Sequence, residues 1–169
     1  MDAPIHHEEL NGYFIEDLTV GMSAVFAKTI TEADIVMFSG VTGDLNPVHV
    51  NQDFAKDTIF KGRIAHGMLT ASLISTVLGT KLPGPGCIYL KQDLRFLAPV
   101  RAGDTVQARI VITDIISEKK RLIAKTTAHV GETMVCDGEA AMMVRSRVQE
   151  AAIREAASIE AASKQVAAD

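Results

Sequence analysis

With 169 residues, 47% of them hydrophobic and 22% charged, the chain is long enough for one domain with a real core and too ordinary in composition for wholesale disorder. A net charge of −4 without any block of Lys/Arg argues against nucleic acid as the main partner. Only two cysteines occur, Cys87 and Cys136; they show no metal-like spacing, and no other ligand cluster suggests a metal or redox cofactor.

Residues 1–12 read as a loose tail. Their first ten are polar and acidic, without the basic start and apolar stretch of a signal peptide, and no apolar run reaches membrane-spanning length. A soluble, cytoplasmic protein with no membrane partner is expected. Residues 25–30 suit a first strand. Thr31, with Asp34 three residues on, suits the N-terminus of a short helix through Phe38.

Next comes Gly43-Asp44-Leu45-Asn46-Pro47-Val48-His49, which cannot be regular helix throughout. Gly43 permits a turn with positive φ, and Pro47 biases Asn46 away from helical geometry. An acid and an imidazole five residues apart on such a loop can share one water, one taking a proton and the other returning one. Alone, Gly-Asp and Asn-Pro are common turn pairs, and a structural loop would be the simpler reading. A short turn is expected near residues 53–56.

The run Arg63-Ile64-Ala65-His66-Gly67-Met68 places a glycine at the mouth of an apolar segment. Residues 65–78 are apolar or small on almost every side, so they predict a helix at the centre of the core, with Gly79 as its C-cap. Its start would aim free backbone N–H groups at a carbonyl oxygen. From residue 88 onward the pattern alternates instead. Ile88, Leu90, Leu94 and Phe96 are expected on one face and Tyr89, Lys91, Asp93 and Arg95 on the other, with Gln92 a polar intruder on the apolar side. Three more strands follow, with hairpin breaks at residues 117–121 and 131–132. One buried helix and a run of antiparallel strands imply an α+β design. The alanine-rich segment 148–169 reads as a surface helix or an oligomer contact.

Two motifs now stand in order, Val41-Thr42-Gly43-Asp44-Leu45-Asn46-Pro47-Val48-His49 and Lys61-Gly62-Arg63-Ile64-Ala65-His66-Gly67-Met68-Leu69, followed by Leu82-Pro83-Gly84-Pro85-Gly86 before a strand. Together they resemble the MaoC-like, (R)-specific enoyl-CoA hydratases over residues 13–145. The resemblance implies a hot-dog fold, a long central helix wrapped by an antiparallel sheet. It also implies a homodimer or higher homo-oligomer, and an acyl-CoA thioester as substrate. It further suggests polyhydroxyalkanoate precursor supply; no cofactor and no metal are expected, since no ligand cluster calls for one. Carried over by position, the catalytic pair falls on Asp44 and His49, and the thioester-carbonyl donor on the Gly67 N–H. Asn46 and His66 are the candidate substrate-binding residues, although Asn46 could equally orient the loop and His66 could be a histidine bonded at a helix start. The expected organisation is a tail (1–12), a hydratase domain (13–147) and a helical tail (148–169).

The reaction so implied is hydration of a trans-2-enoyl-CoA to the (R)-3-hydroxyacyl-CoA, a lyase activity. Rival readings are a 3-hydroxyacyl-carrier-protein dehydratase using the same pair in reverse, a thioesterase, and a non-catalytic acyl-thioester binder. Small residues Ala71, Ser72 and Ser75, with inward groups of the first long strand, could line an acyl pocket. Lys91, Arg95 and Arg101 could meet CoA phosphates, though exposed strand cations usually serve solubility. His129 is expected on a solvated face, and His6 and His7 in the tail.

Overall fold

The computed structural model describes residues 10–166. After a 3-10 turn at Ile15–Asp17 come strand β1 (Ser23–Thr29), helix α1 (Glu32–Thr42), the one-turn helices α2 (Pro47–Val50) and α3 (Gln52–Ala55), and the long helix α4 (Gly67–Thr80). Strands β2 (Ile88–Phe96), β3 (Thr105–Ile116), β4 (Arg121–Val130) and β5 (Thr133–Met143) follow, then helix α5 (Arg147–Val166). The five strands form one antiparallel sheet in the order β1-β3-β4-β5-β2. Helix α4 packs against β1, β3 and β4. This is the α+β arrangement expected, a central helix held by an antiparallel sheet. His6 and His7 lie outside the described residues.

The sheet makes room for the helix with small side chains. Ala108, Ala128 and Cys136 form one cross-strand row, and Ala124 and Ala140 belong to another. All five are fully buried. Onto them α4 lowers Leu73, Ile74, Val77 and Leu78, also buried; each such side chain contributes about 1.5–3 kcal/mol. The first of these rows ends on Phe96 of β2, and that ring reaches the start of α4.

Several local expectations are borne out and several are corrected. Thr31 caps α1 with a reciprocal capping box to Asp34, as the spacing predicts, but the helix runs four residues beyond Phe38 to Thr42. Helix α4 passes through Gly79 and is capped at Lys81, so Gly79 is not the C-cap. The helix is not buried on every side either. Met68, Ser72, Ser75 and Gly79 form one exposed stripe.

The alternation of β2 fails at one point. A bulge between Tyr89 and Lys91 shifts the register, so Tyr89 pairs with buried Met142 while Ile88 pairs with Met143. Tyr89 thereby joins Gln92, Leu94 and Phe96 on the helix side, and Ile88 leaves it. Gln92 is a satisfied amide: its Nε2 donates to Thr126 Oγ1 (2.9 Å) and to the Asp93 carbonyl (2.8 Å), and its Oε1 accepts from the Tyr89 hydroxyl. Burial pushes the Tyr89 hydroxyl up to about 12. No helix among the described residues is long and apolar enough to cross a membrane.

Candidate active site

Helix α1 ends at Gly43, whose φ of 77° lies in the left-handed region that glycine adopts without strain. The turn projects Asp44 outward, exposed to solvent. The Asn46 backbone N–H donates to Asp44 Oδ1 (3.2 Å) and steadies the carboxylate. Asn46 is itself the N-cap of α2, its Oδ1 accepting from Val48 N–H, with Pro47 at the first helical position. Its side chain therefore serves the loop. One turn is enough to aim His49 inward, where only 8% of it remains exposed.

His49 is held by its far nitrogen. Nδ1 lies 2.8 Å from the Ile64 carbonyl, and a carbonyl only accepts, so Nδ1 carries the hydrogen and Nε2 presents a bare lone pair. The Ile64 N–H in turn donates to the Val48 carbonyl (3.2 Å), closing a two-bond clamp between α2 and the segment before α4. That segment is pinned from the other side. Ala65 N–H donates to the Val100 carbonyl (2.7 Å), and the Arg101 guanidinium donates to the carbonyls of Arg63 (3.1 Å) and Phe60. Arg101 is thus engaged within the protein. Arg95 pairs with Asp137 and Lys91 with Asp93 (2.7 Å), so these candidate phosphate contacts are also matched to carboxylates.

Helix α4 opens at Gly67, and no protein acceptor is bonded to the Gly67 N–H among the described residues. A free amide at a helix start, at the positive end of the helix dipole, suits a carbonyl oxygen that gains negative charge. The site also needs glycine for space. A Cβ here would stand 2.9 Å from two carbons of the Phe96 ring.

These parts converge. One oxygen of Asp44 and one ring nitrogen each of His49 and His66 lie within 4.8 Å of one another. Two groups at that separation can hold a single water between them, each at ordinary hydrogen-bond length. The same three groups could be considered for a cation. However, the imidazoles of His49 and His66 are stacked, with centroids 3.8 Å apart and planes 29° apart. Stacked rings share a face with each other, and each already has one nitrogen within hydrogen-bond distance of a backbone carbonyl, His49 at Ile64 and His66 at Asp44. His66 is 2% exposed, with Nε2 3.0 Å from the Asp44 carbonyl.

Asp44, His49, His66 and Gly67 line a cavity of about 400 Å³ whose other walls are apolar except for Thr70, among them Phe60, Phe96, Leu97 and Val135. Met68 borders both it and a second cavity of about 620 Å³, lined by Ala71, Ser72, Ser75, Tyr89 and Leu94. The small residues named from the sequence thus do face open space. Reading the sequence alone missed Ser39 and the Ile64 carbonyl, and it placed Phe96 on the inward face of its strand without its contact to Gly67. Ser39 could have been suspected from its place one helical turn after Ile35 on the buried side of α1; nothing in the sequence marks the Ile64 carbonyl.

Comparison with known proteins bears on the family and the fold. Residues 18–134 match the family model described as MaoC like domain. The chain is 52% identical over 140 residues to an (R)-specific enoyl-CoA hydratase of Rhodospirillum rubrum, covering 83% of this chain and 97% of that protein. It is 47% identical over 136 residues to a 3-hydroxybutyryl-CoA dehydratase of Methylorubrum extorquens, covering 80% and 87%. Among solved structures, the unliganded R-hydratase PhaJ1 of Pseudomonas aeruginosa superposes with a TM-score of 0.76 at 40% identity, over 80% of this chain and 88% of that one. With two ordered motifs, a helix-centred antiparallel sheet and these relatives, the chain belongs to the MaoC-like hydratase family and has its hot-dog fold.

Proposed function

We propose that this chain catalyses (R)-specific hydration of a trans-2-enoyl-CoA to the (R)-3-hydroxyacyl-CoA, with Asp44 and His49 activating one water and the Gly67 N–H receiving the thioester oxygen. The observation that carries the reading is the convergence of Asp44 and His49 within 4.8 Å beside the free start of α4. Relatives named for this hydration and for the corresponding dehydration support the substrate class.

The chemistry follows from the geometry. Water adds at C3 only when electron density can flow through C2 to the thioester oxygen, and the Gly67 amide stabilises the charge arriving there. His49 Nε2 takes one proton from the water as its oxygen bonds to C3. The Asp44 carboxylate accepts a hydrogen bond from the water's other O–H, which stays on the oxygen and becomes the product hydroxyl, and so fixes the water's orientation. Nε2 then returns its proton to C2, so the atoms of one water end on the two carbons. The buried ring and its bond to Ile64 keep Nε2 on the reacting side throughout. The Asn46 backbone N–H holds the carboxylate, and its side chain caps α2. The acyl chain runs past Met68 toward the Ala71–Ser72–Ser75 wall, and the catalytic unit is residues 13–147.

The test is incubation of the purified protein with crotonyl-CoA. Loss of the enoyl absorbance, with (R)-3-hydroxybutyrate recovered after hydrolysis and chiral separation, is the expected result. Release of free thiol would instead identify a thioesterase, and binding without turnover a carrier or assembly subunit. A preference for crotonyl-acyl-carrier protein over crotonyl-CoA would reassign the physiological thioester.

A further inference from the structure

His66 sits where four pieces of the chain meet. It is the residue at the N-terminus of α4, yet its side chain makes no cap bond to that helix. Its Nε2 lies 3.0 Å from the Asp44 carbonyl and 3.3 Å from Ser39 Oγ on α1. Since a carbonyl only accepts, Nε2 carries the hydrogen. Nδ1, which then bears the lone pair, is buried without a partner. On one side the ring stacks on His49, centroids 3.8 Å apart, and it also meets the Phe38 ring at 5.0 Å.

We propose that His66 is a positioning residue that couples the acid–base loop to the carbonyl-binding start of α4, acting through the Asp44 backbone and the His49 ring. The inference rests on the hydration reading above. The bond to Asp44 is made through backbone, so the carboxylate that must face the water is set by a residue next in sequence to the Gly67 amide. Stacking fixes the His49 plane, whose rotation about its bond to Ile64 would otherwise swing Nε2 away. Ser39 completes the crossing: its carbonyl accepts from Gly43 N–H (2.9 Å), which shapes the turn, and its hydroxyl meets His66. One buried ring therefore touches the backbone that carries the carboxylate and the face of the His49 imidazole, and is next in sequence to the oxyanion donor. An imidazole that is 2% exposed offers the substrate an edge at most, so its contribution falls on kcat and not on KM.

Three variants distinguish this role from general packing. His66→Gln puts an amide N–H close to where Nε2 stands, whereas His66→Asn is too short to reach the Asp44 carbonyl. His66→Phe keeps a ring for stacking but has no donor. With crotonyl-CoA, and with folding followed by circular dichroism and thermal melting, His66→Asn and His66→Phe are expected to lose about 10²-fold in kcat, the scale of a misplacement near 1 Å. KM should stay within about twofold, as expected when ground-state binding is untouched. His66→Gln is expected to recover about tenfold of that loss, one donor bond's worth of alignment. The Gln-against-Asn contrast decides the matter even if the Phe variant does not fold. Equal rates for those two variants, or a loss confined to KM, would overturn the proposal. Wild-type protein inactive on every enoyl thioester would instead overturn the hydration reading itself.

Discussion

Gly67 shows how little spare room surrounds the proposed carbonyl-binding amide. A Cβ at that position would lie 2.9 Å from the Phe96 ring, which ends a row of buried small residues running through Cys136, Ala128 and Ala108. Gly67→Ala must therefore displace either that half-exposed ring or the first turn of α4, and a shift of the turn misplaces the amide. Losing one oxyanion donor costs about 10²–10³ in rate; a folded Gly67→Ala protein should lie near the lower end of that range in initial-rate assays. Wild-type turnover would show that the added methyl is accommodated without moving the amide. At this scale the sequence was informative wherever a residue type and its close neighbours carried the meaning. Asp44, His49 and Gly67 all lie within short motifs. Ser39 meets His66 from 27 residues away, and Phe96 reaches Gly67 from a different element. Such contacts depend on packing, which no local spacing encodes.

Elements were legible at their polar ends and obscure at their irregularities. Thr31 and Asp34 announced the start of α1 because a capping box is a local device. The bulge in β2 was not announced, since Leu90 is as good a strand residue as its neighbours, and the shift follows from pairing with β5. The anchoring of α5 was equally hidden. Its start is held by Glu16, which accepts from Ser146 Oγ (2.6 Å) and from the backbone N–H groups of Arg147 (3.1 Å) and Val148 (3.5 Å). Arg147 also pairs with Asp17 (2.8 Å), and Arg145 with Glu150. Burial alone would raise the Glu16 carboxyl, but these hydrogen bonds outweigh it and bring it from 4.5 down to about 2. A carboxyl lowered on folding stabilises the native state above its unfolded value, and that contribution is lost as pH falls from about 4.5 through about 2. Glu16→Gln should therefore lower the melting temperature at pH 7 and flatten its fall below pH 4.5. An unchanged acid limb in thermal melts of the two proteins would show that the anchor contributes nothing.

At the scale of the whole molecule, β2 is the edge of the sheet opposite β1. An edge strand offers unpaired N–H and C=O groups to another chain. Tyr89 and Leu90 are 38% and 41% exposed there, and the open stripe of α4 at Met68, Ser72 and Ser75 lies beside them around the second cavity. We propose that a second copy covers this face, as the family resemblance implied. Sedimentation at micromolar concentration should give a dimer or larger assembly, and Leu90→Lys should weaken it by placing a charge in the contact. An active wild-type monomer would contradict that. The architecture itself was readable because one all-but-buried helical run followed by four alternating segments leaves few ways to bury both.

The central claim is that Asp44 and His49 act together on one water, and a double-mutant cycle tests it most directly. Asp44→Asn, His49→Ala and the combined variant would be compared with wild type in initial-rate hydration of crotonyl-CoA, after circular dichroism has confirmed folding. Each single change should lower kcat by about 10²–10⁴, the usual contribution of general acid–base catalysis. The combined variant should be little slower than the slower single one, because a shared water is lost with either partner. Near wild-type turnover by folded Asp44→Asn protein, or losses that simply multiply in the double variant, would contradict the account.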